Sequence, residues 1–317
     1  MTDRQVTCTR AGFNAFFRQK YLRLLKAALN RNERRPDYAD PEVIKAIVAP
    51  YRDMARTPLA PDAGELGTPR HIWMLWQQGW DSAPPLVQAC ARSWQRHNPD
   101  WQLHLLDETS LARWAPAYSD IHAPRATRTA RANIARLSLL ARHGGVWADA
   151  TLFCQQPLDR WLPGAMVQRF FMFSKPRPYR YSDIWFLASF PQTELITGWL
   201  DMVDSYWRHF RRPHHYYWME YLFEYLARTN PSIGQTWEGV PPLSALGPLV
   251  TQGRAFDRNA PAPLFQAITD RVIPVHKLSH KWRYRGSLEG TPVGVLTGME
   301  YLHQPAPDGT PDMTSGS

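Results

Sequence analysis

From residue 70 onward the chain alternates short apolar runs with amphipathic stretches, and this alternation is the tightest constraint on its fold. Arg70–Trp76 (RHIWMLW) suits a buried strand. Pro84–His97 follows with helical periodicity, and Asn98-Pro99-Asp100 makes a turn. Trp101–Leu106 (WQLHLL) is a second strand, after which Asp107 is placed to cap a short helix reaching Trp114. Thr127–His143 is a strongly patterned helix, stopped by Gly144-Gly145, with Val146–Ala148 following as a strand. Strand–helix–strand–helix order predicts a mostly parallel sheet flanked by helices. Such sheets bind ligands beyond the carboxyl ends of their strands, so chemistry is expected at Asp149. Ala165–Phe173 and Asp183–Ser189 read as further strands. Thr193–Arg208 and His214–Arg228 read as helices rich in Trp and Tyr, covering the sheet or forming an acceptor-side lobe.

The flanks read differently. Residues 1–56 form an N-terminal helical extension, 57–69 a Pro/Gly-rich linker, 70–303 the α/β domain with a helical C-terminal part, and 304–317 a disordered tail. In residues 10–30, Phe13, Phe17, Tyr21 and Leu24 keep helical spacing, while Arg18, Arg23 and Lys26 fall largely outside that face. Two readings stand: a helix packed on the domain with a solvated basic side, or one lying on an anionic membrane. Asp40-Pro41-Glu42 opens a second helix.

Hydrophobic content of 44% and 21% charged residues exclude a mainly disordered chain. Twenty-eight prolines argue against a helical bundle. Three widely spaced cysteines, without CxxC, suggest neither a disulfide framework nor a zinc site, and fit a reducing cytoplasm best. No signal peptide or transmembrane run is expected. The net charge of +9 favours an anionic partner, but no nucleic-acid reader motif is present, so the expected anion is a small phosphorylated molecule or a membrane face.

The most informative stretch is Arg131–Leu158, RANIARLSLLARHGGVWADATLFCQQPL. Asn133 and Arg136 share one helix face. Gly144 and Gly145 allow a tight turn and leave room for a ligand. A carboxylate ending a buried strand needs a cation, so Asp149 beside Arg136 suits a metal–diphosphate group or, as readily, a structural ion pair.

This segment resembles the DXD-type sugar transferases and, more narrowly, the bacterial capsular polysaccharide synthesis family, through Trp147-Ala148-Asp149-Ala150-Thr151 after the Gly-Gly turn. The likeness extends to Pro69–Trp73, Trp76-Gln77-Gln78-Gly79, Ala83-Pro84, Ser93-Trp94 and Asn98-Pro99-Asp100. Downstream it takes in Trp185-Phe186, Tyr206-Trp207 and Lys277-Leu278-Ser279-His280-Lys281. The resemblance implies a GT-A-like (Rossmann-like) fold, a nucleotide-sugar donor, a glycan or lipid-linked glycan acceptor, retention of configuration, and a divalent metal, Mn2+ or Mg2+. It places Trp76 on a uracil-like base, Asn133 and Arg136 at ribose and diphosphate, and Asp149 on ribose or metal. Lys277 and Lys281 would meet the leaving diphosphate, where cations stabilise developing charge. Asn133 and Thr151 stand where the broader family has Asp. Thr151 follows the capsular subgroup, whereas Asn133 supports the alternative of a non-catalytic nucleotide-sugar- or glycan-binding relative. On the acceptor side, Asp183 and Glu220 are the candidates, with His214–Trp218 as possible sugar platforms. His214 and His215, adjacent on a helix, are not expected to share a metal.

Overall fold

Strand β1 (His71–Leu75) lies inside a five-stranded sheet of order β2-β1-β3-β6-β5, formed with β2 (Gln102–Leu106), β3 (Gly145–Ala148), β5 (Phe170–Arg177) and β6 (Arg180–Ser189). Both β2 and β3 run parallel to β1. Only β6 reverses, pairing antiparallel with β3 on one side and β5 on the other, so four strands point one way. The mixed α/β architecture with a mostly parallel sheet is therefore the one expected. A separate pair joins β4 (Leu152–Cys154) to β7 (Val275–Lys277). The computed structural model describes residues 9–29, 36–56, 67–115, 121, 126–177 and 180–302.

In chain order the helices are α1 (Arg10–Leu29), α2 (Pro41–Arg56), α3 (Pro85–His97), α4 (Glu108–Trp114), α5 (Arg128–His143) and α6 (Leu162–Ala165). They continue with α7 (Glu194–His209), α8 (Trp218–Thr229), α9 (Pro231–Glu238), α10 (Leu246–Gly253), α11 (Ala262–Thr269) and α12 (Pro292–Thr297). Local chemistry explains the ends that matter. Asp107 and Ser110 form a reciprocal capping box that starts α4. Thr127 accepts from the Ala130 amide to start α5. Gly144 ends α5 at φ 68°, and Gly145 follows at φ 91°, both in the region that favours glycine.

The space at Gly145 is needed by the fold itself. A Cβ there would lie 2.4 Å from the His71 carbonyl oxygen, and one at Gly144 would meet Pro191 and Pro69. The two glycines sit at the start of β3, at the opposite end from Asp149. They make close strand–strand approach possible rather than room for a ligand.

Three further expectations change. On α1, Phe13, Phe17 and Lys20 form the buried side, whereas Tyr21 is 58% exposed. The buried stripe follows i, i+4, i+7, and a lysine enters it because Glu224 of α8 waits opposite. The strand expected to begin at Ala165 begins at Phe170, since Leu162–Ala165 makes a helical turn first. Residues 214–217 form a loop, and α8 starts at Trp218. The His214 amide donates to the Tyr206 hydroxyl at 2.9 Å and its ring stacks on Phe17 at 4.7 Å, tertiary contacts that outcompete helical spacing. Most of the linker, residues 57–66, and the 304–317 tail lie outside the described residues. Cys90 and Cys154 are buried free thiols. No helix among the described residues is long and apolar enough to cross a membrane.

Candidate active site

At the carboxyl end of β1 and β3 opens a cleft of about 1010 Å3. Its floor is the turn after β3. Asp149 is 28% exposed and anchored through its amide, which donates to Trp185 O at 2.9 Å. Its Oδ1 accepts from the Trp147 indole at 2.9 Å and pairs with Arg136 Nη2 at 3.2 Å. Its Oδ2 faces Lys277 Nζ at 3.7 Å.

Lys277 comes from 128 residues away, and backbone pairing delivers it. Leu152 is in register with Lys277, and Leu278 N donates to Thr151 O at 2.9 Å. The Lys277 ammonium also donates to the Thr151 hydroxyl. The loop beyond it lays Ser279, His280 and Lys281 along the cleft wall. There His280 meets the Trp76 ring edge-on at 5.3 Å. Burial, with the positive charges of Lys281 and Lys277, lowers the His280 pKa and favours its neutral form.

Trp76 is half-buried beside Ala83, Val87 and Ala150 and lines the cleft at the end of β1. Arg136 lines it too, but is only 5% exposed. Its guanidinium donates to Ile184 O, pairs with Asp149 and lies 5.0 Å from the Trp147 ring centroid. Arg136 therefore acts chiefly by fixing Asp149. Asn133 is buried one turn away and, like Gly144 and Gly145, is not part of the cleft wall.

On the opposite wall stands a group the sequence reading found only in part. Asp183 lines the cleft, held by Arg180 Nη2 at 2.9 Å. Glu220 lies behind that arginine, 3.4 Å from it, and does not reach the cleft. Burial pushes the Glu220 carboxyl up to about 7, with Arg180 opposing. The Arg180 guanidinium also sits 3.7 Å from the centroid of the Tyr217 ring. Tyr216 and Tyr217 line the cleft, as the aromatic cluster suggested, whereas His214 and His215 line a smaller groove against α1. Arg180, Arg128, Gln252 and Tyr38 were missed. Each comes from a stretch with no motif of its own, and only the weak surplus of basic residues hinted at the arginines.

The wall thus carries Arg128, Arg136, Arg180, Lys277 and Lys281 against Asp149 and Asp183. Such a surplus suits a diphosphate. The donor set fits a resident divalent ion poorly. Asp149 offers one carboxylate, with Oδ1 held by Trp147 and Arg136 and Oδ2 faced by Lys277. Thr151, in place of a second acid, receives the same lysine. A divalent ion on Asp149 Oδ2 would have to share that oxygen with the ammonium, against the repulsion between the two cations. Asp183 is already matched by Arg180. Among the described residues no group of three His, Cys, Asp or Glu side chains is arranged to hold a metal.

The fold is an α/β sheet with a cationic, aromatic-walled cleft at the carboxyl ends of its strands, the place where such sheets bind ligands. The family follows from sequence: residues 28–291, most of the chain, match the model for "Capsular polysaccharide synthesis protein", and the chain belongs to that family. An alignment 98 positions long is 29% identical to "O-glycosyltransferase braB" of Annulohypoxylon truncatum and takes in 26% of this chain and 23% of that protein. The match thus spans about a quarter of that relative's length. The solved structure "PaToxG Glycosyltransferase" aligns with a TM-score of 0.37 and 13% identity, covering 63% of this chain and 84% of that one.

Proposed function

We propose that the protein is a glycosyltransferase that moves a sugar from a nucleotide-diphosphate donor, a UDP-sugar, to a polysaccharide or glycolipid acceptor in surface-polysaccharide synthesis. The observation that carries this reading is Lys277 held over the Asp149–Thr151 turn in a cleft that Lys281, Arg128 and Trp76 also line, in a chain of this family. Trp76 offers an aromatic face to the base. Asp149, fixed by Arg136 and Trp147, accepts hydrogen bonds from ribose hydroxyls. The donor's C1–O bond to the β-phosphate breaks with its electron pair left on the phosphate. The acceptor hydroxyl oxygen bonds to C1 with retention of configuration, and its proton passes to the departing diphosphate. Charge grows on that diphosphate as the bond breaks, and fixed cations there stabilise the transition state more than the bound donor. Asp183, oriented by Arg180, is placed to hydrogen-bond the acceptor, and Tyr216 and Tyr217 to face its sugar ring.

The test is donor hydrolysis and transfer by the purified chain, given UDP-, GDP- and CMP-sugars with candidate glycan acceptors. Release of one donor's nucleotide that falls about a hundredfold or more in Asp149→Asn supports a transferase. Nucleotide-sugar binding without turnover, with acceptors present, favours a non-catalytic relative instead. Peripheral membrane contact through residues 10–30 is a separate part of the proposal, supported by exposed Tyr21, Leu22 and Leu25 beside exposed Arg18, Arg23 and Lys26. Flotation with anionic vesicles, lost in Leu22→Ser/Leu25→Ser, tests it.

A further inference from the structure

The turn after β3 sets the Asp149 carboxylate and the Thr151 hydroxyl two positions apart, and a cation is already supplied between them. The Lys277 ammonium donates to Thr151 Oγ1 and stands 3.7 Å from Asp149 Oδ2. Its place is fixed by main chain on both sides, through the Leu152–Lys277 register and the Leu278 N–Thr151 O hydrogen bond at 2.9 Å. The side chain is only 18% exposed, so the ammonium is directed rather than free to wander. The remaining Asp149 oxygen is held by Trp147 and Arg136, which completes the carboxylate's partners without an added ion. Five cationic side chains line the cleft against two carboxylates. Arg136 and Arg180 are engaged with Asp149 and Asp183, Lys277 is held in place, and exposed Arg128 and Lys281 add positive charge beside it for a diphosphate.

From this geometry we infer that the donor diphosphate is bound, and its leaving charge neutralised, without a divalent metal, by the Lys277 ammonium fixed over Asp149 and Thr151. The inference rests on the transferase reading and sharpens it. One ammonium of Lys277 donates to Thr151 with one hydrogen and retains others for the phosphate oxygens that enter the cleft. Lys281, exposed on the same loop, reaches the outer phosphate oxygens. Thr151 is thereby explained as a neutral partner that holds the ammonium without neutralising it, which an aspartate at that position would do.

The experiment measures calorimetric binding of UDP, GDP and CDP to the full chain in EDTA and again with Mn2+ or Mg2+, alongside Mn2+ binding followed by electron paramagnetic resonance. The expected result is one nucleoside diphosphate bound with an affinity that changes less than about threefold between EDTA and metal, and no stoichiometric Mn2+ uptake by the nucleotide-free protein. Lys277→Met should weaken that nucleotide about tenfold or more, the size of one charge-assisted hydrogen bond, and Lys277→Arg should recover most of the loss. The wild-type EDTA comparison needs no variant, so a misfolded Lys277→Met would not shield the inference. Binding abolished by EDTA and restored by Mn2+, or one tightly bound Mn2+ per chain, overturns it while leaving the transferase reading intact. Binding of no nucleoside diphosphate in any condition overturns the transferase reading and this inference together.

Discussion

Two clusters in this molecule are built from the same three groups and do different things. Lys20 of α1, Glu224 and Arg228 of α8 form one; Lys277 of β7, Asp149 after β3 and Arg136 of α5 form the other. In each, a carboxylate is bracketed by an arginine and by a lysine from a distant segment. The first is closed at its centre, with Glu224 1% and Lys20 5% exposed and Arg228 at the rim 48% exposed, and the Lys20 ammonium lies 5.3 Å from the Tyr221 ring. Burial lowers the Lys20 pKa, opposed by the Glu224 hydrogen bond and charge. The second floors an open cleft, with Asp149 28% exposed and further cations around it. Both trios carry two cations against one carboxylate, but the buried one locks one helix onto another, whereas the open one, with Arg128 and Lys281 on the same cleft wall, is placed to meet a ligand. Each trio joins an ammonium, a guanidinium and a carboxylate; solvent access and the surrounding charge separate them.

The largest effect that would break this comparison is structural. Glu224→Ala leaves the Lys20 ammonium buried and unpaired, and an uncompensated buried charge costs about 3–5 kcal/mol. Urea denaturation should read a loss of that size, with nucleotide affinity of the folded protein unchanged; a loss below about 1 kcal/mol would make the cluster a surface pair in energetic terms. Next comes Asp149→Asn, expected to reduce donor turnover by about 10²–10³ because it removes both the ribose contact and the partner that positions Lys277 against the developing charge, with a smaller stability change than Glu224→Ala. Equal stability losses in the two variants would erase the distinction drawn here.

Glu220 sharpens the comparison from between the clusters, being buried behind Arg180 with its Oε2 accepting no hydrogen bond among the described residues. Burial raises its carboxyl from 4.5 to about 7, so the folded state holds the proton more tightly than the unfolded chain. That stabilisation is fully present below about pH 4.5 and is lost as pH rises to about 7. Relative to Glu220→Gln, the wild-type unfolding free energy should fall by about 3 kcal/mol across that window. A rise instead would mean that Arg180 outweighs burial. The smallest expected effect is Trp76→Ala, which should weaken nucleotide binding about tenfold, within the range for one base–aromatic stack, without altering urea stability by a comparable amount.

Legibility followed the range of the interactions. The Asp107 cap, the Thr127 start of α5 and the Gly-Gly stop are settled within a few residues, and each stands where the sequence placed it. Asp149 at the end of β3 was likewise readable, because strand order alone fixes which end of a parallel sheet gathers loops. Lys277 and Lys281 were named only by family resemblance. The β4–β7 pairing that brings Lys277 to Asp149 links three-residue strands too short to leave a periodic signal. Arg180 had no motif, and its importance comes from the three side chains around it, Asp183, Glu220 and Tyr217. Glu220 was read as an acceptor-side candidate, yet α8 buries it behind Arg180.

The sequence by itself determined an alternating α/β domain, a glycine turn into a strand that ends in a carboxylate, and an excess of basic charge to meet an anion. Those properties are carried by near neighbours along the chain, where local sterics and capping decide. Tertiary structure alone decided which carboxylate would be sealed and which left open, and that Lys277 would stand over Asp149 and Thr151. The physical reason is that solvent exposure and ion pairing are set by whatever packs across a site, and here the partners come from segments more than a hundred residues away.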